Sequence, residues 1–331
     1  MDGTVEAMVE GCKAHMLHGT TSIVPTTLTS TMEELYNTFD NLRKARETMG
    51  QGPNILGIHL EGPYFSMEQK GAQDPKYIKK PDKEEYQKIL NCTKDIIRWT
   101  VAPELNGALE MGDELSRRGI LPCIGHSDAV YEQIVEAYEH GYTHITHLYS
   151  GMSMVRRINA YRYAGVVESA YLIDGMTVEI IADGKHLPES LLKLIYKIKG
   201  ADGICLVTDS MRAAGMPEGE TILGSLKNGQ KVIVEDGVAK LMDRTAFAGS
   251  VATADRLVRT MVKSVGVPLM EVVQMMTHTP ARVIGIEKDK GSLSSGKDAD
   301  IIVFDQNIHV SLVMVKGVVC LNRECKDPAL A

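Results

Sequence analysis

One repeated unit constrains this chain more than any other feature: a short apolar run followed by a segment of helical periodicity. Apolar runs occupy 22–28, 55–60, 96–101, 121–124, 143–146, 177–182 and 204–208. They are short, and those at 55–60, 121–124 and 204–208 are nearly continuous instead of alternating, so both faces of the strands are expected to be buried. Helices are predicted over 4–18, 31–49, 82–92, 108–118, 130–140 and 188–199, and several stop at a glycine, such as Gly19, Gly119, Gly141 and Gly200. Doubly buried strands that alternate with helices form a parallel sheet under a helical layer. The fold class is therefore α/β. Seven strands fall one short of a (β/α)8 barrel, and the chain opens on a helix with no strand before it. The expectation is a barrel whose first strand lies upstream of Met1.

After residue 210 the pattern changes. Residues 221–244 hold short alternating runs with turns at Asn228-Gly229 and Asp236-Gly237, which read as hairpins. Helices are predicted at 252–265 and 268–277. From Gly291 the pattern is all short strands. The expected division is a barrel domain over 1–285, with a hairpin insertion at about 221–244, and a small β-sandwich-like domain over 286–331. The stretch 149–165 reads as irregular.

Charge and composition exclude several function classes. The 36 basic and 43 acidic residues leave a net charge of −7, and there is no Lys/Arg-rich run, so nucleic acid is not an expected partner. No apolar run approaches the about 18 residues of a membrane span. The N-terminus, MDGTVEAMVEG, has no basic region followed by an apolar one, so it is not expected to be a signal peptide. Cys12, Cys92, Cys123, Cys205, Cys320 and Cys325 are scattered without a C-x-x-C pair, which suits reduced thiols in the cytoplasm.

The polar residues at the strand ends carry the chemistry. Glu61, His126, His147, His186 and Asp209 each follow an apolar run. In a barrel these ends converge on one face, where active sites are built. Glu61, His126 and His147 form a one-carboxylate, two-imidazole set that suits one divalent ion, zinc, iron or cobalt, with a position left for water. Such an ion lowers the pKa of its water to about 7. Asp209 would move the proton from that water to a leaving amine, which is the logic of metal-assisted amide hydrolysis. His59 and His144 fall inside strands and are expected to be core residues bonded to backbone. His15, His18, His140 and His309 receive no role.

The segments HLEGPYF (59–65), KGAQ (70–73), GHSDA (125–129), THLYSGMS (146–153), IADGKHL (181–187), VTDSM (207–211), FAGSVAT (247–253) and 279–305 carry a resemblance. The chain resembles the N-acetylglucosamine-6-phosphate deacetylase family of the amidohydrolase superfamily, across nearly its whole length. The resemblance implies a metal-dependent hydrolase barrel. In it Glu61, His126 and His147 hold the metal, Asp209 is the acid/base, and His186 contacts the sugar or the polarised amide. The loop around Ala248-Gly249-Ser250 closes the site. The substrate would be an amino-sugar phosphate, and family members are usually homodimers.

Three departures stand out. No His-x-His pair of the first strand is present, so the chain resembles single-metal members. Ser150, followed by Gly151, replaces an Asn near the phosphate, where backbone N–H groups would serve instead. The segment VRRINAYRYAG is longer than usual, and Arg162 best matches the phosphate arginine, ahead of Arg156 and Arg157. Gln73 stands where some members have His, and its amide would bond a sugar hydroxyl.

Overall fold

A computed structural model describes residues 2–323. Thr4 caps α1 (Val5–Met16) by accepting from the Ala7 N–H at 3.1 Å, and Val9, Cys12 and Met16 form its buried face. The chain then runs into β1 (Ser22–Ile23). Thr31 caps α2 (Met32–Thr48), which buries Phe39, Leu42 and Ala45. These caps satisfy N–H groups that a helix start leaves without partners.

The 55–60 run does not form one continuous strand. It is divided into β2 (Asn54–Ile55) and β3 (Ile58–Glu61). The cause is Gly57, which lies so close to the next strand that a Cβ would come within 2.5 Å of the Asp95 carbonyl oxygen. The alternation then follows the sequence: α3 (Lys83–Cys92), β4 (Ile96–Val101), α4 (Ala108–Arg117), β5 (Leu121–Ile124), α5 (Tyr131–Glu139) and β6 (His144–Ile145).

The stretch expected to be irregular, 149–165, holds an antiparallel hairpin, β7 (Arg156–Ile158) and β8 (Tyr161–Tyr163), and past it comes a helix that the sequence reading missed, α6 (Val166–Leu172). Its strands are too short and too polar to show a period. β9 (Thr177–Ile180), α7 (Glu189–Lys199) and β10 (Ile204–Leu206) complete the alternation.

The main sheet is parallel with the order β10-β9-β6-β5-β4-β3. Beyond β3, backbone bonds run from Asn54 N to Thr21 O (2.8 Å), Leu56 N to Ile23 O (3.0 Å), His59 N to Pro25 O (2.9 Å) and Thr27 N to His59 O (3.0 Å). This is one parallel ladder carried past the Gly57 interruption. The segment 21–27 is thus the seventh strand that the sequence predicts. The sheet curls into a half-barrel, and the clearest sign is a pair across its concave face. Arg98 on β4 and Glu179 on β9 form an ion pair although β5 and β6 lie between their strands.

Past β10, the expected hairpins form a single antiparallel sheet of β11 (Gly219–Leu223), β12 (Gln230–Glu235) and β13 (Val238–Leu241). α8 (Ala254–Arg259) continues as a π-helical stretch, Thr260–Val265. α9 (Leu269–Met276) follows, and then α10 (His278–Val283), which the sequence reading missed. The C-terminal strands β14 (Ile301–Phe304), β15 (Val310–Val315) and β16 (Val318–Asn322) form one antiparallel sheet among the described residues. Its core, Val310, Val313 and Val315, packs on Met16 of α1. Residues 324–331 of the expected small domain, with Cys325, lie outside the described residues. The five described cysteines are all free, and Cys12, Cys123 and Cys205 are buried. No helix among the described residues is long and apolar enough to cross a membrane.

Candidate metal centre

Three strand ends meet above the concave face. β3 delivers Glu61, while His126 and His147 stand just past β5 and β6. Glu61 Oε1 lies 2.9 Å from His126 Nε2 and 3.3 Å from His147 Nε2. One ligand atom from each of the three side chains falls within 4.8 Å of the others, and all three residues are buried. This is the set the sequence pointed to. The sequence does not show the backbone that achieves it. His126, His147 and Asp209 have φ of 50°, 32° and 46°. Left-handed backbone at a non-glycine residue costs on the order of 1–3 kcal/mol, and such strain clusters at functional sites.

The donor set fits a cation. His126 Nδ1 lies 2.8 Å from the Gln69 carbonyl oxygen, which can only accept, so the proton sits on Nδ1. Nε2 then presents a lone pair to an anionic oxygen, an arrangement that needs a proton or a cation between the two. His147 Nδ1 is buried with no partner among the described residues. Burial pushes the Glu61 carboxyl up, but hydrogen bonds and charge from the two imidazoles outweigh it and hold the group well below the usual carboxylate range. Burial would lower His147, yet Glu61's hydrogen bond and charge raise it to about 9. Among the described residues no Lys or Arg pairs with Glu61 or Asp209. The negative charge is left for an ion to neutralise.

Asp209 follows β10, and its carboxylate has no hydrogen-bond partner among the described residues. Burial, and then the charge of Glu61, raise its carboxyl to about 6, against an opposing pull from His147 and His186. Its backbone is pinned: Ser250 N donates to Asp209 O at 2.8 Å, and Met211 N donates to Ser250 O at 3.0 Å. His186 donates from Nδ1 to Asp183 Oδ2 at 2.8 Å, and Asp183 also accepts the Lys185 and His186 N–H groups at 2.8 Å each. That fixes the imidazole and leaves Nε2 without a hydrogen-bond partner among the described residues. The Phe247 ring, partly exposed, lies 4.7 Å from His186.

The other expected contact residues are placed differently. Gln73 is buried, with its amide bonded to Thr29 and Glu61. The Ser150 N–H donates to His147 O at 2.9 Å, so only its hydroxyl remains for a substrate. Gly151, at φ 59°, lies where a Cβ would come 2.7 Å from His126 Nδ1 and 2.9 Å from Gln69 O. Its role here is to allow close approach to the His126 imidazole. Ala248 is fully buried and its N–H is committed to Ala239 O at 2.9 Å, so it offers no amide donor. Arg162 is exposed on β8, directly across the hairpin from Arg157. Its guanidinium has no hydrogen-bond or ion-pair partner among the described residues, Glu61, His126 and His147 included. Arg156 is instead paired with Asp128.

His59 and His144 are core residues, as expected, but their rings bond side chains and not backbone. His59 contacts Thr26 and Thr100 (3.2 and 2.6 Å), and His144 contacts Thr177 (2.7 Å). Sequence reading missed the supports: Asp183, Gln69, and Glu104, which accepts from Ser127 Oγ (2.7 Å) and Asp128 N (2.6 Å). The i, i+3 spacing of Asp183 and His186 was the one available signal.

A half-barrel of parallel strands with a buried Glu-His-His set at its C-terminal mouth, beside a free carboxylate, defines a metal-dependent hydrolase. The chain matches the amidohydrolase family over residues 2–320, and it belongs to that family. It is 36% identical over 317 residues to an N-acetylglucosamine-6-phosphate deacetylase of Lysinibacillus sphaericus, covering 92% of this chain and 78% of that protein. It is 31% identical over 300 residues to an N-acetylgalactosamine-6-phosphate deacetylase of Escherichia coli O157:H7, covering 90% and 77%. The fold superposes on a mutant N-acetyl-D-glucosamine-6-phosphate deacetylase of Mycobacterium smegmatis, solved with N-acetyl-D-glucosamine-6-phosphate. There the TM-score is 0.87 at 30% identity, over 97% of this chain and 84% of that one. A Pasteurella multocida deacetylase gives 0.87 at 31% identity, over 96% and 81%.

Proposed function

We propose that this chain hydrolyses the acetamido group of N-acetylglucosamine 6-phosphate, releasing acetate and leaving glucosamine 6-phosphate. One observation carries the reading: Glu61, His126 and His147 converge beside the unpartnered Asp209 carboxylate. The names of the relatives supply the substrate class. One divalent ion, zinc, iron or cobalt, would be held by the three ligands and would supply Lewis acidity toward the amide carbonyl and the attacking water. Asp209 takes a proton from that water and passes it to the nitrogen as the C–N bond breaks. His186, fixed by Asp183, presents Nε2 to the substrate. The Ser150 hydroxyl, the Gly151 backbone and Gln73's second amide N–H contact the sugar phosphate.

Arg162 is assigned to the phosphate within a homodimer. In support, the segment that carries it exposes Met154, Val155, Ile158 and Tyr161 together. Residues 1–285 form the catalytic unit in this reading, with the β11–β13 sheet inserted, and the sheet of β14–β16 belongs to a separate small unit. A cytoplasmic location suits the free thiols and a phosphorylated substrate.

The test is acetate release from N-acetylglucosamine 6-phosphate by the metal-loaded chain, with the C4 epimer as a second substrate. The epimer is included because a relative at 31% identity is named for it. Turnover should fall about 10²- to 10⁴-fold in Asp209→Asn. Turnover only of other N-acyl compounds would overturn the substrate.

A further inference from the structure

Gln73 sits at the end of a one-way chain of hydrogen bonds that stops on a metal ligand. Its Oε1 accepts from the Thr29 backbone N–H at 3.0 Å and from the Thr29 hydroxyl at 2.9 Å. Its Nε2 lies 3.1 Å from Glu61 Oε1. The backbone N–H of Thr29 can only donate, so the amide oxygen must face Thr29 and the amide nitrogen must face Glu61. No flipped amide satisfies both ends. Gln73 and Thr29 are both buried, at 6% and 7% exposure, so water does not substitute for these bonds.

The oxygen so held is the same one that lies 2.9 Å from His126 Nε2 and 3.3 Å from His147 Nε2. A carboxylate at a strand end rotates freely about its last bond unless its oxygens are bonded. The Glu61 backbone is tied to the same region, since its N–H donates to Thr27 Oγ1 at 3.2 Å. The strand segment 21–27 and the residues just after it thus reach the metal centre through Thr27 and Thr29, although that segment contributes no ligand.

We propose that Gln73 is a positioning residue for the metal centre. Thr29 locks its amide, the amide fixes the Glu61 carboxylate, and this relay sets the affinity for a divalent cation. The proposal rests on the reading of Glu61, His126 and His147 as ligands. It differs from a substrate-only role for Gln73, which leaves metal affinity untouched.

The probe is Co²⁺, titrated into the metal-free full chain against a chromogenic chelator, with the visible absorption of the bound ion as a second readout. The proteins are wild type, Thr29→Val, Gln73→Met, the double variant and Glu61→Gln. Gln73→Met should weaken Co²⁺ binding about 10- to 100-fold, the range for partners of metal ligands. Thr29→Val should weaken it less and in the same direction. The double variant should bind as Gln73→Met does, because a relay cut once has nothing further to lose. Wild-type affinity and an unchanged spectrum in Gln73→Met, with only KM raised, would overturn the proposal, and so would fully additive losses. If Gln73→Met does not fold, Gln73→Ala takes its place, and wild-type Co²⁺ affinity in that variant overturns the proposal alone. A wild-type chain that binds no Co²⁺, or a Glu61→Gln variant that binds it equally well, would instead remove the metal-centre reading itself.

Discussion

Two buried clusters of one carboxylate and two imidazoles share the inside of this half-barrel, and only one of them is built for an ion. The lower cluster joins Glu179 to His144, 3.4 Å from its Oε1, and to the Arg98 guanidinium, with the His59 imidazole nearby and held neutral by burial. The upper cluster joins Glu61 to His126 and His147. The ingredients match except for the cation. The lower cluster contains its own, in Arg98, and its imidazoles are bonded to threonine hydroxyls. Among the described residues the upper cluster has no Lys or Arg, leaves His147 Nδ1 without a partner and keeps a second carboxylate, Asp209, close by. A His/Glu cluster is a metal-site candidate when the fold withholds the countercharge, and a structural one when the fold supplies it.

The comparison can be broken from either side. Glu61→Gln should abolish metal binding and lower turnover by about a thousandfold or more, the equivalent of several kcal/mol of Lewis-acid assistance. Its metal-free form should be about as stable as the metal-free parent, as read by denaturant midpoint. Glu179→Gln should do the opposite. It strands a buried guanidinium and should cost about 3–5 kcal/mol of stability, while Co²⁺ affinity in the folded fraction stays near that of the parent. Replacing the pair together, as Arg98→Met with Glu179→Leu, should recover most of that loss, because an ion pair exchanged for apolar bulk is often neutral. A double variant as unstable as the single one would show that the lower cluster has a role beyond charge balance.

A pH profile sharpens the difference further. Asp209 has its carboxyl raised to about 6 by burial and by Glu61's charge. As the proposed base it must be ionised, so kcat/KM should fall as pH drops through its pKa. A bound cation favours the ionised form, which moves that acidic limb below about 6. A limb well above 6 in the metal-loaded enzyme would exclude Asp209 as the group that titrates. The smallest effect is expected for Gly151→Ala. Its Cβ would press on the His126–Gln69 hydrogen bond from a left-handed backbone, and Co²⁺ binding should weaken about tenfold. Unchanged affinity would show that the bond is dispensable.

Much of the upper cluster was legible in sequence because two local signals coincided. Glu61, His126, His147 and Asp209 each lie within two residues of the end of an apolar run, and a parallel sheet brings those ends together. His59 and His144 could be separated from the ligands since they fall inside the runs. What supports the ligands was not legible. Gln69 and Thr29 act through contacts made by folding, 57 and 44 residues from their partners. The hairpin of β7 and β8 carries no periodic signal in three-residue strands, and the break at Gly57 follows from the packing of Asp95 and Ile97. Arg98 and Glu179, 81 residues apart, become partners only once the sheet curls.

The left-handed backbone at His126, His147 and Asp209 bears on any attempt to move this chemistry to another scaffold. Copying the ligand identities onto the ends of three ordinary strands would let the chain relax to extended geometry, and the side chains would splay. The transplant must also carry the clamps that hold the unfavourable torsions. One is Ser250, whose N–H holds the Asp209 carbonyl while its hydroxyl holds that of Thr208. Another is Gly151, which clears the space beside His126. The smallest portable unit of this centre is therefore a set of loops with their restraints, and the three ligands alone are too little of it.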